Sequence, residues 1–521
     1  MILLRHRRAI VLASLMLFLA GCAPVGPNYK RPSAPVPVSF KEPLPAGWKQ
    51  AEPGGAFVNG KWWEVYNDAA LNALEEQVGI SNQNVLQAEA QYREARAVAR
   101  EARSALFPTV SAGIGVTATG AGGAASTAAG ANGSSNAGTR TAYSLPFNVA
   151  WEPDLWGSIR RSVTGNIALA QATEADLENA RLLFQAELAQ DYFQLHGIDG
   201  DADLLRTTVD SYNEYLTLTK NRYAAGVASD LDVAQAESQL YSTQSALIDL
   251  GEQRAQLEHA IAILVGKPPS DLSVPPVPLT MPPPQIPLGL PSDLLERRPD
   301  IASAERRVAA ANEQIGIAMA AFYPVLSLSA SAGLNASSLG KWFSWPSRFW
   351  SVGPGLSETL FDAGRRRAVV AQQQAAYDAT VDGYRQSVLT ALQQVEDNLA
   401  ALRVLSDEND KLQQTIQSAD RALNISNAQY RAGTTSYLTV ITSQAALLSA
   451  QRSAIQLLSR RMTASVLLVE ALGGGWNSSR LPSRQDVIAA GAPASSSDRS
   501  LKSSAFPDIA RMVSHTSVTF F

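Results

Sequence analysis

The chain repeats itself. Aligned without gaps, Ala88, Glu89, Ala95, Ala102, Ala105 and Pro108 match Ala304, Glu305, Ala311, Ala318, Ala321 and Pro324. Leu155-Trp156 with Arg160-Arg161 match Leu360-Phe361 with Arg365-Arg366. Tyr223, Ala225, Gly226, Ser229, Leu231, Val233 and Leu240 match Tyr430, Ala432, Gly433, Ser436, Leu438, Val440 and Leu447. The offset stays between 205 and 216 residues throughout. So steady a register means that whatever unit one half forms, the other forms again. A run of prolines from Pro268 to Pro291 joins the halves, as expected of a stiff linker.

Each half alternates between two periodicities. Leu71 to Leu106 is rich in Ala, Gln, Glu and Arg and free of proline, with Glu89 and Arg93 four apart, as a long helix favours. Ser158 to Tyr223, Asp230 to Leu264, Pro299 to Phe322, Arg365 to Tyr430 and Ser436 to Leu472 read the same way. At about 1.5 Å per residue the longest reach roughly 100 Å. Their many alanines let helices approach closely, so a bundled or coiled arrangement is expected rather than isolated rods. Between the helices, Val110, Ala112, Ile114, Val116 and Ala118 alternate with Ser111, Gly113, Gly115, Thr117 and Thr119. Leu326, Leu328, Ala330 and Ala332 likewise alternate with Ser327, Ser329, Ser331 and Gly333. After a loop, Gly120 to Thr139 or Asn335 to Ser347, a second alternating run follows, Tyr143 to Trp151 or Trp350 to Phe361. Two hairpins result, with strands at about 108–119, 142–156, 324–334 and 350–361.

An apolar face opposite a face of small polar residues is what a strand needs with lipid outside and water inside. A soluble sheet with one wet face alternates in the same way, but the N-terminus argues against it. Arg5, Arg7 and Arg8 precede an apolar run, Ala9 to Leu19, too short to span a bilayer and suited to a cleaved export signal. It ends in Leu19-Ala20-Gly21-Cys22, which resembles the bacterial lipobox. On that reading Cys22 is acylated and becomes the first mature residue; an ordinary signal followed by a chance cysteine is the alternative. Ala23 rather than Asp follows, a context that resembles sorting to the outer membrane. The proline-rich stretch Ala23 to Pro45 is expected to run as an extended arm. Trp151, Trp156, Trp342, Trp345 and Trp350 sit in or beside the hairpins, where interfacial girdles lie. Arg160-Arg161 and Arg365 to Arg367 follow the strands, where they are expected to solvate helix starts or reach lipid head groups.

Four strands cannot close a membrane barrel, and open edges cannot face lipid, because their backbone groups would go unpaired. The chain must therefore oligomerise, as a dimer with about eight strands or a trimer with about twelve. Gly and Ser on the inward face suit an open lumen, which favours the trimer. A net charge of -4 with scattered Lys and Arg leaves no basic surface for nucleic acid. The histidines, His6, His196, His259 and His515, and the lone Cys22 offer no metal-ligand spacing, and no nucleophile elbow, phosphate loop or paired carboxylates stand out. No catalytic residue, cofactor or metal is expected.

Signal, lipobox, doubled helix-hairpin-helix layout and proline-rich joint together resemble the outer membrane factor family, the TolC-like export ducts. Within it the chain is most similar to the NodT/OprM type of efflux lipoprotein, on the central run Gly289-Leu-Pro-Ser-Asp-Leu-Leu-Glu-Arg-Arg-Pro-Asp300. The resemblance implies an α+β membrane protein. A homotrimer would share a twelve-stranded barrel, continued by a long α-helical coiled-coil periplasmic barrel with an equatorial domain. It implies a periplasmic adaptor and an inner-membrane RND-type pump as partners, and localisation in the outer membrane with extension into the periplasm. The expected division is a signal peptide at 1–21, a lipidated arm and equatorial segment at 22–70, and the first repeat at 71–267. The linker at 268–292, the second repeat at 293–475 and a partly disordered tail at 476–521 complete it.

The family's helix-hairpin tips match Tyr223 to Val233 and Tyr430 to Val440. Gly226 and Gly433 can take the left-handed turn that ends one helix, and Ser229 or Ser436 can cap the next. Tyr223, Gly226, Ser229, Tyr430, Gly433 and Ser436 are thus expected at the tips, for turning, for adaptor docking, or for both. Relatives often carry aspartates just after the second tip; here Thr439 and Thr442 stand there. Asp230 and Asp232 at the first tip are the acidic candidates for an entrance constriction, unless Asp230 caps and Asp232 is only solvated. A duct for a type I secretion transporter and a purely structural coiled-coil lipoprotein are the alternatives. The exported compounds, the particular pump and adaptor, and the role of the tail are not legible in one chain.

Overall fold

The computed structural model describes residues 24–43, 60–120, 139–287 and 289–489. The signal, Cys22, most of the first hairpin's loop and residues 490–521 lie outside the described residues. The first half holds α1 (Ala69–Ser81), α2 (Gln83–Ser104), β1 (Thr109–Ala112), β2 (Gly115–Thr119), β3 (Arg140–Trp151), α3 (Ser158–Ala224) and α4 (Asp230–Leu264). The second holds a short α5 (Leu294–Arg297), α6 (Pro299–Ala320), β4 (Val325–Ala336), β5 (Arg348–Ser357), α7 (Arg365–Arg431) and α8 (Tyr437–Ala471), followed by α9 (Arg484–Ile488). The duplication is exact in helix length: α3 and α7 each have 67 residues, α4 and α8 each 35.

β1 and β2 form one interrupted rung beside β3, and the sheet then runs β3, β4, β5, antiparallel throughout. Its register makes the alternation two-dimensional. Val110, Val149, Ala330 and Val352 lie side by side across the four rungs, and so do Ser111, Asn148, Ser331 and Ser351. Paired residues share a face, so one surface is a continuous apolar band and the other a polar one. The apolar band is open: Val110, Ile114, Val116, Trp350, Val352 and Leu356 are all exposed. Among the described residues, β1/β2 and β5 each pair on one side only, leaving two free edges. No described helix is long and apolar enough to cross a membrane.

Below the sheet, α3 packs against α4 and α6, α7 against α8, and α3 also meets α8. The main core gathers around the middle of this bundle: Trp62, Trp63 and Tyr66 of a short helical turn, Leu71 and Val78 of α1, Phe193 and Leu195 of α3, Ile261 of α4, Tyr384 and Leu399 of α7, and Val466 and Leu468 of α8. The arm is extended, as expected, and laid along this body. Val25 donates to the Trp156 carbonyl (2.9 Å), Asn312 to the Pro27 carbonyl (3.2 Å), and Arg403 pairs with Glu42 (2.9 Å).

Several boundaries differ from the sequence expectation. The helix expected over Leu71 to Leu106 breaks at Asn82, whose side chain accepts from the backbone of Asn84 and Val85 and donates to the Leu264 carbonyl (2.8 Å). An asparagine that can cap a new helix competes with the i to i+4 ladder, and here tertiary contact settles the contest. The exit strands, expected to reach 156 and 361, stop at Trp151 and Ser357. Pro153 offers no ladder N–H, and Asp154 and Asp362 instead accept from the first amides of the following helices. The proline-rich joint is docked rather than free: Val274 N donates to Glu258 (2.7 Å), Val277 N to Asp199 (3.0 Å) and Leu279 N to the His196 carbonyl (3.0 Å). In the described part of the tail, Trp476 and Val487 are buried and Ser483 with Asp486 forms a capping box.

The arginines after the strands do more than solvate helix starts. Arg160 pairs with Asp154 (3.1 Å) and Arg366 with Asp362 (2.7 Å), each closing its strand-to-helix corner. Arg161 is buried against Glu313 on α6. Of the five tryptophans, Trp151, Trp345 and Trp350 face outward, but Trp342 is buried beside Tyr143, and Trp156 donates to the Pro324 carbonyl (2.7 Å) while stacking on Tyr323.

Candidate functional site

The long pairs α3/α4 and α7/α8 end in two turns that the fold brings together. Gly226 and Gly433 both have φ of +74°, the left-handed value that ends α3 and α7. Gly226 N donates to the Tyr223 carbonyl (2.9 Å) and Gly433 N to the Tyr430 carbonyl (3.0 Å), the same turn twice. Tyr212, Leu216, Ala236, Leu240, Tyr430, Tyr437 and Val440 form one apolar cluster between the tips, drawn from all four helices. Arg222 locks it: its guanidinium lies 4.6 Å from the Tyr430 ring centroid and donates to the Tyr430 carbonyl (3.3 Å). Burial, with Tyr430 alongside, pushes the Tyr437 hydroxyl up to about 12.

The tips are equal in backbone and unequal in side chains. At the first, Ser229 caps α4 in a reciprocal box: Asp232 N donates to Ser229 Oγ (3.2 Å) and Ser229 N to Asp232 Oδ2 (2.9 Å). At the second, Thr439 occupies the place of Asp232, and Ser436 makes no side-chain cap bond to the backbone. Thr435 instead donates to Thr439 Oγ1 (3.1 Å), and Thr442 to the Thr439 carbonyl (2.9 Å). Of the two aspartates expected at the entrance it is Asp232 that caps, not Asp230 as the alternative reading had it, and Asp230 at the first helical position is exposed. Capping favours the N3 position, where a carboxylate can reach back to the N-cap amide. The tyrosines divide as well. Tyr223 is 49% exposed, whereas Tyr430 is 6% exposed and part of the cluster. Only the former can meet a partner, together with exposed Val227, Leu231 and Leu438. Sequence reading passed over Arg222 and Tyr437; an arginine in the last helical turn beside an aromatic was the available signal.

The central run Gly289 to Asp300 lies far from the tips and forms a corner. Arg298 is buried, pairs with Asp300 (2.7 Å) and donates to the Ala471 carbonyl (2.9 Å) at the end of α8, where a cation also suits the helix dipole. The run thereby clasps the start of the second repeat to its finish. Glu470 sits in the same corner, and burial raises its carboxyl to about 7 from 4.5, with Arg298 opposing and Asp300 adding to the rise. The native state thus keeps a proton that the unfolded chain releases. Its stabilisation is whole below pH 4.5 and is lost as pH rises through about 7. Glu470→Gln should flatten the fall in melting temperature between about pH 5 and pH 8; an unchanged slope would remove Glu470 as its source.

A sheet with an apolar outer face on long paired helices defines an outer-membrane duct. The profile of the family described as Outer membrane efflux protein matches residues 74–267 and 290–474. The chain is 31% identical over 472 residues to the pyoverdine export outer membrane protein OpmQ of Pseudomonas aeruginosa, spanning 90% of this chain and 97% of that one. It is 30% identical over 467 residues to the toluene efflux pump outer membrane protein TtgC of Pseudomonas putida, spanning 89% and 95%. The solved structure of the outer-membrane channel OprN matches with a TM-score of 0.79 at 31% identity, over 87% of this chain and 99% of that one. The Campylobacter jejuni CmeC outer membrane channel, at 22% identity and a TM-score of 0.81, shares the fold. The chain belongs to the outer membrane efflux protein family. It is the outer-membrane channel component of a tripartite efflux system, a passive duct and not an enzyme.

Proposed function

We propose that three copies of the chain close a twelve-stranded barrel across the outer membrane and continue it as a helical tunnel into the periplasm. The observation that carries this is the open sheet: four rungs, an exposed apolar face and two unpaired edges that lipid would leave unsatisfied. Pairing β5 of one copy with β1/β2 of the next satisfies both edges and keeps the apolar band continuous. Cys22 is lipidated in this reading, which the docking of the arm supports: Val25, three residues on, donates to the Trp156 carbonyl at the strand-to-helix corner. The exposed tip residues Tyr223, Val227, Leu231 and Leu438 meet a periplasmic adaptor, and an RND-type inner-membrane pump supplies energy and selects cargo. Drugs or other toxic small molecules are the cargo of such a duct, and the pump selects among them.

In this reading Asp230, Asp232, Thr439 and Thr442 border the entrance, and the Arg222–Tyr430 contact, which joins the two tips of one copy, supports it. The protein purified in detergent should run as a heat-modifiable trimer and give discrete conductance steps in planar bilayers. A monomer that carries no current would end the proposal. Divalent cations should block the current from the periplasmic side, and Asp230→Asn combined with Asp232→Asn should weaken that block about tenfold or more, since asparagine keeps the cap but not the charge. Block and pump coupling unchanged in this variant would place the gate elsewhere.

A further inference from the structure

From Pro108 to Trp151 and from Pro324 to Ser357 the chain carries three charged residues, Arg140, Lys341 and Arg348, all positive. All three lie at the end of the sheet away from the helices: Arg140 begins β3, Arg348 begins β5, and Lys341 is in the turn between β4 and β5. The nearest acids, Glu152, Asp154, Glu358 and Asp362, follow the strands at the opposite end. The register separates the cations by face. Arg140 lies opposite Thr119, on the polar surface; Arg348 lies opposite Leu334, on the apolar surface that also holds Trp350. The Arg348 guanidinium sits 3.3 Å from the ring centroid of Trp345. Trp345 and Trp350 are 74% and 80% exposed. Ser347 donates to the Lys341 carbonyl (2.6 Å), which brings Lys341 to the residue before Arg348. Among the described residues, neither Lys341 nor Arg348 has a carboxylate partner.

A cation on the lipid side of a barrel needs a counter-charge, and a guanidinium held over an indole ring rather than against a carboxylate keeps its N–H fork free for a phosphate. Aromatic rings at the same height fix the depth at the head-group layer. We infer that Arg348 and Lys341, framed by Trp345 and Trp350, form a site for the phosphate of an outer-leaflet glycolipid, so that each chain binds one anionic lipid at the outer rim. Arg140 faces the lumen and takes no part. The inference rests on the barrel reading above, which sets the apolar face toward lipid.

The test is a titration of the full-length assembly in detergent, by native mass spectrometry, with diphosphorylated lipid A, with dephosphorylated lipid A and with inorganic phosphate. Diphosphorylated lipid A should bind, weakened about fivefold by Arg348→Ala and roughly 30-fold when Lys341→Ala is added, the loss expected when each basic residue's attraction to an anionic membrane surface is removed in turn. Arg140→Ala should bind as the unmodified protein does, and Arg348→Lys, which keeps the charge but loses the planar fork, should bind with an affinity between those of the unmodified protein and Arg348→Ala, and keeps the test open even if Arg348→Ala fails to assemble. Equal binding of dephosphorylated lipid A, an equal loss in Arg140→Ala, or full displacement of the lipid by equimolar inorganic phosphate would each overturn the site. Failure of the unmodified protein to form a heat-modifiable trimer would overturn the barrel reading and the site with it; an intact trimer indifferent to phosphate overturns the site alone.

Discussion

Arg161→Ala is expected to cost about 3–5 kcal/mol of stability, the usual penalty for removing one partner of a buried ion pair. Arg161 is 4% exposed, and its NH1 donates to Glu313 Oε2 at 2.8 Å from α3 to α6, directly beneath the sheet. Its aliphatic stem lies over Gly316, where an added Cβ would come within 2.3 Å of Cδ, so the pair is packed as well as charged. Without the guanidinium, Glu313 is left, among the described residues, with the Asn312 amide at 3.5 Å and is stranded as a buried charge. Glu313→Gln in the same chain should recover part of the loss, because it removes the stranded charge. Thermal unfolding of the detergent-solubilised protein reads the effect. A drop of under about 1 kcal/mol would mean that the site relaxes to admit water.

The second large effect is expected at Gly473, which has φ of +92° just past the end of α8. A Cβ there would stand 2.0 Å from the Arg297 carbonyl oxygen, a backbone atom that cannot swing away. Left-handed strain alone costs about 1–3 kcal/mol, and the clash forces the central corner off α8 in addition. Gly473→Ala should therefore leave little folded protein, seen as loss of the heat-modifiable band. Gly251→Ala, inside α4 with nothing within 4 Å of its Cβ, is the matched control and should be neutral or slightly stabilising. Normal assembly of Gly473→Ala would show that the corner is loosely held.

Both sites bear on what a linear reading reaches. Helix bounds such as Asp230–Leu264 are legible because their causes are local: a serine cap, proline-free composition and a glycine turn. The strands are legible as alternation, but their ends are not, because Pro153 and the capping Asp154 and Asp362 act through corners that form only when the next helix begins. The central run is recognisable as a signature, yet its work as a clasp on Ala471 joins residues 173 apart, and no spacing rule connects them.

The tips show the limit most clearly. Tyr223 and Tyr430 occupy equivalent places in the two repeats, and a doubled sequence assigns them equal roles. The packing does not, since Tyr430 turns into the cluster between the hairpins and meets Arg222, while Tyr223 stays half-exposed. The two repeats meet through different faces at the tips, so one tip supplies the surface that the other covers.

By itself, then, the sequence determined the repeated unit, the amphipathic strands, the length of the helices and the need for further copies, because each follows from local periodicity or from strand count. Only the tertiary structure decided which arginine is buried, which tyrosine is free, which aspartate caps and where the proline-rich joint docks. Those depend on contacts between residues far apart in the chain, whose energies are set by burial and partner geometry rather than by residue type.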